Sequence, residues 1–246
     1  MPAKRRADQL LVDRGLAESR AKAQALILAG LVYAGERRID KSGEAIADST
    51  AVEVRGRDHP WVSRGGVKLS HALEHFAIDV TGFVALDIGA STGGFVDVLL
   101  TRGAARVHAV DVGRGQLAWK LRQDVRVVVH ERVNARYLSE AEIGEPVDII
   151  TCDASFIGLA TVLPAALALA KPRALLVALI KPQFEAGSGA VGKGGVVRDP
   201  DVHRGVCEAV AAWVASQGWS VAGMTDSPIT GPAGNKEFLL FARSWS

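Results

Sequence analysis

From about residue 66 onward the chain repeats one unit, a short apolar run followed by a segment with helical spacing. The apolar runs are Val84–Ile88, Arg106–Val112, Val125–His130, Val147–Cys152 and residues 174–180. Their apolar residues are continuous rather than alternating, as in strands covered on both faces. Between them, helical spacing predicts helices over 66–76, where Leu69, Leu73 and Phe76 share a face, and over 95–102, 159–170 and 202–217. Strand–helix alternation of this kind requires an α/β fold with a parallel, doubly wound sheet. The last two strands, 219–226 and 236–242, are joined by a turn-rich segment. A parallel crossover needs about a dozen residues or more, usually as a helix, so this pair is expected to be antiparallel.

Composition narrows the function classes. The chain has 246 residues, is 48% hydrophobic and carries a net charge of +2, so global charge does not argue for nucleic acid. Its two cysteines, Cys152 and Cys207, fit neither a disulfide scaffold nor a metal-ligand spacing, and no metal is expected. The basic N-terminus lacks the apolar core of a signal peptide, and no run is long enough to span a membrane. A cytoplasmic protein without a membrane partner is expected, a monomer in the simplest case.

Residues 1–58 read as a separate small α/β unit, and residues 59–65 as a linker to a domain over 66–246. Ala7, Leu10 and Leu11 share a helical face. Ser19 is placed to cap a second helix that carries Ala23, Leu26 and Ile27 and stops at Gly30. Short strands follow at residues 31–33, 37–39 and 51–54. Lys4, Arg5, Arg6, Arg14, Arg20 and Lys22 fall on outward helical positions. They suit phosphate contacts with a nucleic acid, although a solvated helix face looks the same on charge alone. The stretch RADQLLVDRGLAESRAKAQALILAGLVYAGERRIDKSGEAI resembles an S4 (α-L) domain, which implies RNA as the partner.

In the larger part, LDIGASTGGF (residues 86–95) joins an apolar strand to a helix, where glycines let backbone approach a ligand. Asp111 ends the next strand, where a carboxylate can hold two ribose hydroxyls. The glycine spacing departs from the G-x-G-x-x-G of dinucleotide enzymes. With Asp87 ahead of it, and with a terminal hairpin, it resembles a class I S-adenosylmethionine methyltransferase with a Rossmann-like seven-stranded sheet and an antiparallel last strand. That resemblance implies S-adenosylmethionine held by Asp87, Gly89, Ala90, Ser91, Thr92, Gly93, Gly94 and Phe95, with Asp111 at the ribose and Asn134 near the adenine.

Four charged residues are placed to meet at one edge. Asp153 and Lys181 follow the ends of two parallel strands, and Glu237 begins an antiparallel one. Lys68 sits in the first turn of a helix, where a cation is mildly unfavourable. In order, Lys68, Asp153, Lys181 and Glu237 reproduce the K-D-K-E tetrad of ribose 2′-O-methyltransferases. A free lysine is neutral only about once in 2,500 molecules at pH 7, a handicap of about 4.6 kcal/mol. Burial and a second ammonium lower that handicap. Lys181 is therefore expected to deprotonate the hydroxyl, with Asp153 holding it in line and Lys68 and Glu237 tuning charge and position.

An S4 domain followed by this tetrad resembles the TlyA, or hemolysin A, family, which 2′-O-methylates cytidine in ribosomal RNA. WVSRGGVKL, DIGASTGGFVDVLL, DASF, IKPQFE and GNKEF all look like its motifs. Its shorter members resemble this chain and act on the large subunit, so ribosomal RNA or a ribosomal subunit is the implied partner. One departure is His59-Pro60-Trp61, where many relatives carry arginine two places before the tryptophan. Arg64, Lys193 and Arg198 are further candidates for RNA contact, the last two on the glycine-dense stretch 185–200, which reads either as a mobile loop over the site or as a solvated connection. Phe156 suits either packing on the target base or the core.

Three rivals remain on sequence alone. Cytosine C5 methylation would use Cys152 as nucleophile. A pore-forming hemolysin and an RNA-binding assembly factor without methyl transfer are the non-enzymatic ones.

Overall fold

The computed structural model describes residues 4–17, 19–55, 59–192 and 194–245, without the side chain of Ser188. The chain divides into two compact units, Met1–Pro60 and Trp61–Ser246.

In the smaller unit, helices α1 (Ala7–Asp13) and α2 (Arg20–Leu28) pack against two small antiparallel sheets. One sheet pairs β1 (Lys4–Arg6) with β4 (Ala45–Ala47), and the other is ordered β3 (Arg37–Arg38), β2 (Val32–Ala34), β5 (Val52–Val54). Ser19 caps α2 by accepting from the Lys22 N–H at 3.2 Å, and Gly30 takes a positive φ just past its end. Lys4, Arg5 and Arg6 do not lie on a helix as their spacing suggests. They form β1, in register with Ala47, Ile46 and Ala45, because the apolar stripe that can hold α1 in place starts only at Ala7.

The larger unit is a seven-stranded sheet in the order β11-β12-β10-β9-β6-β7-β8. Its strands are β6 (Val84–Ile88), β7 (Arg106–Asp111), β8 (Val127–Glu131), β9 (Val147–Cys152), β10 (Ala170–Ile180), β11 (Trp219–Asp226) and β12 (Phe238–Ser244). β12 runs antiparallel to both neighbours, and the other pairings are parallel. Side chains alternate between two cores: Leu176, Ala178 and Ile180 enter one layer, Val177 and Leu179 the other. This is why the strand reads as an unbroken apolar run. The helices are α3 (Gly65–His75), α4 (Gly94–Thr101), α5 (Trp119–Arg122), α6 (Glu140–Ile143), α7 (Leu159–Val162), α8 (Pro164–Leu167), α9 (Pro182–Glu185) and α10 (Pro200–Ser216). The single helix expected over 159–170 is split into α7 and α8, since Pro164 has no N–H to continue the ladder.

The chain winds outward from β6 in one direction through β7 and β8, then from β9 in the other. β6 and β9 therefore flank the switch point, where open α/β sheets leave a crevice at the carboxyl edge.

Candidate active site

The glycine loop after β6 is built for close approach. Gly89 has φ +80°, and a Cβ there would meet the Ala154 backbone at 3.0 Å. Gly93, at φ +95°, opens α4, and a side chain on it would collide with Leu121. Gly94 packs against Gly66 of α3, while Phe95 is buried in the core layer beside it. The carbonyl of Thr92 accepts from the Ala118 N–H at 3.1 Å.

Asp111 fastens this loop to the next one. One carboxylate oxygen accepts from the Ser91 N–H at 2.8 Å, the other from the Gly113 N–H at 2.7 Å. A small cleft opens here, lined by Ala90, Ser91, Asp111, Gln116, Val129 and Glu131 among others. Glu131, which sequence reading missed, ends β8, accepts from the Gly115 N–H at 2.7 Å and pairs with Arg122. Asn134 stands outside that lining, exposed, with its side chain accepting from the Arg136 N–H. Asp87 lies beneath the loop, fully buried. Its Oδ1 accepts from Thr151 Oγ1 at 2.7 Å, while its Oδ2 has no hydrogen-bond partner among the described residues. Burial first, then the charges of Asp153 and Asp111, push this carboxyl up to about 7. A buried carboxylate with one open oxygen, beside a backbone cradle that side chains would fill, fits a donor bearing a cationic amino group and a ribose.

The four charged residues converge next to this cradle. Lys181 Nζ lies 2.7 Å from Asp153 Oδ1 and also donates to the Asp153 carbonyl at 3.0 Å and to Ser155 Oγ at 2.8 Å. Lys68 Nζ donates to Glu237 Oε2 at 2.6 Å and lies 3.9 Å from Asp153 Oδ2. The result is an alternating chain of two amines and two carboxyl groups, Lys181–Asp153–Lys68–Glu237. Lys68, Lys181 and Glu237 are 7%, 6% and 2% exposed. Charges so deeply buried persist only when paired. Ser155 gave no signal of its own in the sequence.

Beside the tetrad, Phe156 is 90% exposed with φ +66°, its ring 5.2 Å from that of Phe184. It belongs to the surface, not the core. Cys152 is buried, and desolvation pushes its thiol up to about 12.

The candidate RNA contacts are distributed over both units. In the smaller unit Asp8, completely buried, holds Arg6 through both oxygens at 3.0 Å and Arg20 at 3.1 Å. Arg6, then Gln24 and Arg20, hold its carboxyl well below the usual range. Arg5 pairs with Asp13 at 2.9 Å and Asp48 at 3.1 Å, and Arg14 donates to the carbonyls of Thr50 and Asp48. Lys4 and Lys22 are exposed. In the larger unit Arg64 donates to the Thr230 carbonyl at 3.2 Å and Arg198 is exposed, whereas Lys193 lies outside the described residues.

The FtsJ-like methyltransferase family matches residues 61–244, and the S4 domain matches residues 5–49. The chain belongs to the FtsJ-like methyltransferase family. It is 51% identical over 245 residues to the 16S/23S rRNA (cytidine-2′-O)-methyltransferase TlyA of Mycobacterium tuberculosis, covering 99% of this chain and 91% of that one. It is 39% identical over 235 residues to Hemolysin A of Brachyspira hyodysenteriae, covering 95% and 98%. A solved structure of a hemolysin-designated protein from Streptococcus thermophilus superposes with a TM-score of 0.78 at 43% identity, covering 100% of this chain and 90% of that one. The expected membership in the S4-bearing TlyA group of FtsJ-like enzymes thus holds.

Proposed function

We propose that this chain is an S-adenosylmethionine-dependent 2′-O-methyltransferase of ribosomal RNA. Its target is a cytidine ribose, as in the TlyA relative. The observation that carries this reading is the buried Lys181–Asp153–Lys68–Glu237 chain beside the glycine cradle.

The donor, when bound, supplies an electrophilic sulfonium methyl. Asp87, the Gly89–Gly93 backbone and Asp111 would hold it, with Gln116 and Glu131 lining the same cleft as Asp111. The chain's own task is the hydroxyl. Lys181 Nζ, in its neutral form, accepts the 2′-hydroxyl proton as oxygen attacks. Asp153, 2.7 Å away, stabilises the ammonium that forms and keeps Nζ in line. Lys68 offsets the charge of Asp153, and Glu237 fixes Lys68 in place. Phe156 offers its exposed ring to the target base. The S4 unit and the exposed basic side chains hold the phosphate backbone.

The thiol of Cys152, pushed up by burial, disfavours cytosine C5 methylation, which needs a thiolate. Among the described residues no helix is long and apolar enough to cross a membrane. A cytoplasmic monomer acting on RNA is the expectation.

The test is methyl transfer to ribosomal RNA with ribose or 2′-deoxyribose at the target position, alongside Lys181→Ala. Transfer is expected to vanish with deoxyribose. In the variant it falls by about 100- to 10,000-fold, with donor affinity by calorimetry unchanged. Transfer that survives either change removes the assignment.

A further inference from the structure

The glycine-dense stretch after α9 is pinned at Val197, which is buried between half-buried Val196 and exposed Arg198. The Val197 N–H donates to Asn235 Oδ1 at 3.0 Å, and its carbonyl lies 3.0 Å from His203 Nε2. A carbonyl only accepts, so His203 carries its proton on Nε2. Asn235 Nδ2 donates to the Gly195 carbonyl at 2.9 Å. Asn235 is 2% exposed, and both ends of its amide are bonded to this loop. An asparagine that merely shapes a turn bonds its own backbone neighbourhood, as Asn134 does with Arg136. Asn235 instead reaches a segment 38 and 40 positions earlier.

The groups that pin the loop flank Glu237. Asn235 lies two residues before it, and the His203 ring packs edge-on against Phe238, 5.6 Å away, the residue after it. The Asn235 carbonyl accepts from the Gly231 N–H at 2.9 Å, closing a turn on the carboxylate. A Cβ at Gly231 would lie 2.6 Å from Glu237 Oε1. One short segment therefore touches the loop, α10 and, through Glu237, Lys68.

We propose that Asn235 and His203 are positioning residues that latch residues 195–197 onto the segment presenting Glu237, so that docking of the loop and seating of Glu237 against Lys68 are one coupled equilibrium. This rests on the role given to the tetrad above. Coupling of this kind is reciprocal: loosening Glu237 loosens Val197, and the reverse.

Amide hydrogen exchange at Val197 and steady-state methyl transfer test this in the full chain. Val197 exchanges about tenfold faster in Asn235→Ala and in His203→Ala, while His203→Gln, which keeps an N–H within reach, restores protection. Glu237→Gln, which removes none of Val197's hydrogen bonds, also speeds its exchange, by about threefold. In Asn235→Ala, kcat falls about tenfold with donor Kd and KM for RNA within about twofold. Should Asn235→Ala not fold, the two His203 variants on half-exposed α10 carry the same comparison. Unchanged Val197 exchange in Glu237→Gln, or an unchanged kcat once the latch is cut, overturns the proposal. Failure of the wild-type protein to methylate ribose overturns the tetrad reading instead, and the exchange arm still decides the coupling.

Discussion

The Lys68–Glu237 pair gives the sharpest test of how this unit is held together. Its 2.6 Å contact is almost fully desolvated, with side chains 9% and 1% exposed. Lys68→Met strands the Glu237 carboxylate in a dry site with its counter-charge gone. Breaking a buried pair from one side costs about 3–5 kcal/mol, whereas replacing both partners with neutral groups is often nearly neutral. Glu237→Gln is expected to cost less than Lys68→Met, because Lys68 keeps Asp153 at 3.9 Å as a second anion. The double variant should recover much of the loss, giving a coupling energy of about 2–4 kcal/mol. The assay is urea unfolding followed by tryptophan fluorescence. All five tryptophans (Trp61, Trp119, Trp213, Trp219 and Trp245) lie in the larger unit, so the signal reports that unit even if the S4 part unfolds separately. Arg204 and Asp201, an exposed pair on α10, serve as control, with an expected coupling below about 0.5 kcal/mol. Additive single-variant losses at Lys68 and Glu237, matching that control, would refute the claim that burial makes this pair obligatory.

Phe156→Ala should weaken RNA binding by about 10- to 100-fold, the scale of one base stacked on an aromatic ring, with the urea midpoint unchanged because the side chain is exposed. The Asp87 carboxyl, raised to about 7, binds its proton more tightly in the folded than in the unfolded chain. Its contribution to stability is therefore complete below about pH 4 and is lost as pH rises through about 7, with a ceiling of about 4 kcal/mol. Asp87→Asn should flatten that slope in urea midpoints measured from pH 4 to 8. Arg20→Ala should lower affinity for ribosomal RNA and reduce the salt dependence of binding by about one counterion, with donor affinity by calorimetry unaltered.

What the sequence made legible is what periodicity and edge position control. Strand ends at Ile88, Cys152 and Ile180 are where apolar runs stop, and a parallel sheet puts those stops on one rim. Glu237 joins them because the strand it precedes runs the other way, so edge position alone brings Asp153, Lys181 and Glu237 together. Lys68 was legible because a cation near a helix start is otherwise unfavourable. The groups that escaped are fixed by loops and by non-local pairing. Ser155 meets Lys181 only through the turn after β9, and Asn235 meets Val197 across 38 positions of sequence. β1 escaped because a strand of three basic residues has no apolar pattern and exists through its partner β4, distant in sequence. Asp8 escaped in the opposite sense. It looks like a solvated acid between basic residues, yet it is completely buried and gathers Arg6, Arg20 and Gln24 around it. The same rule covers Asp8 and the tetrad. A buried charge is visible in the fold only with its partners, and the partners come from segments that sequence spacing alone cannot bring together.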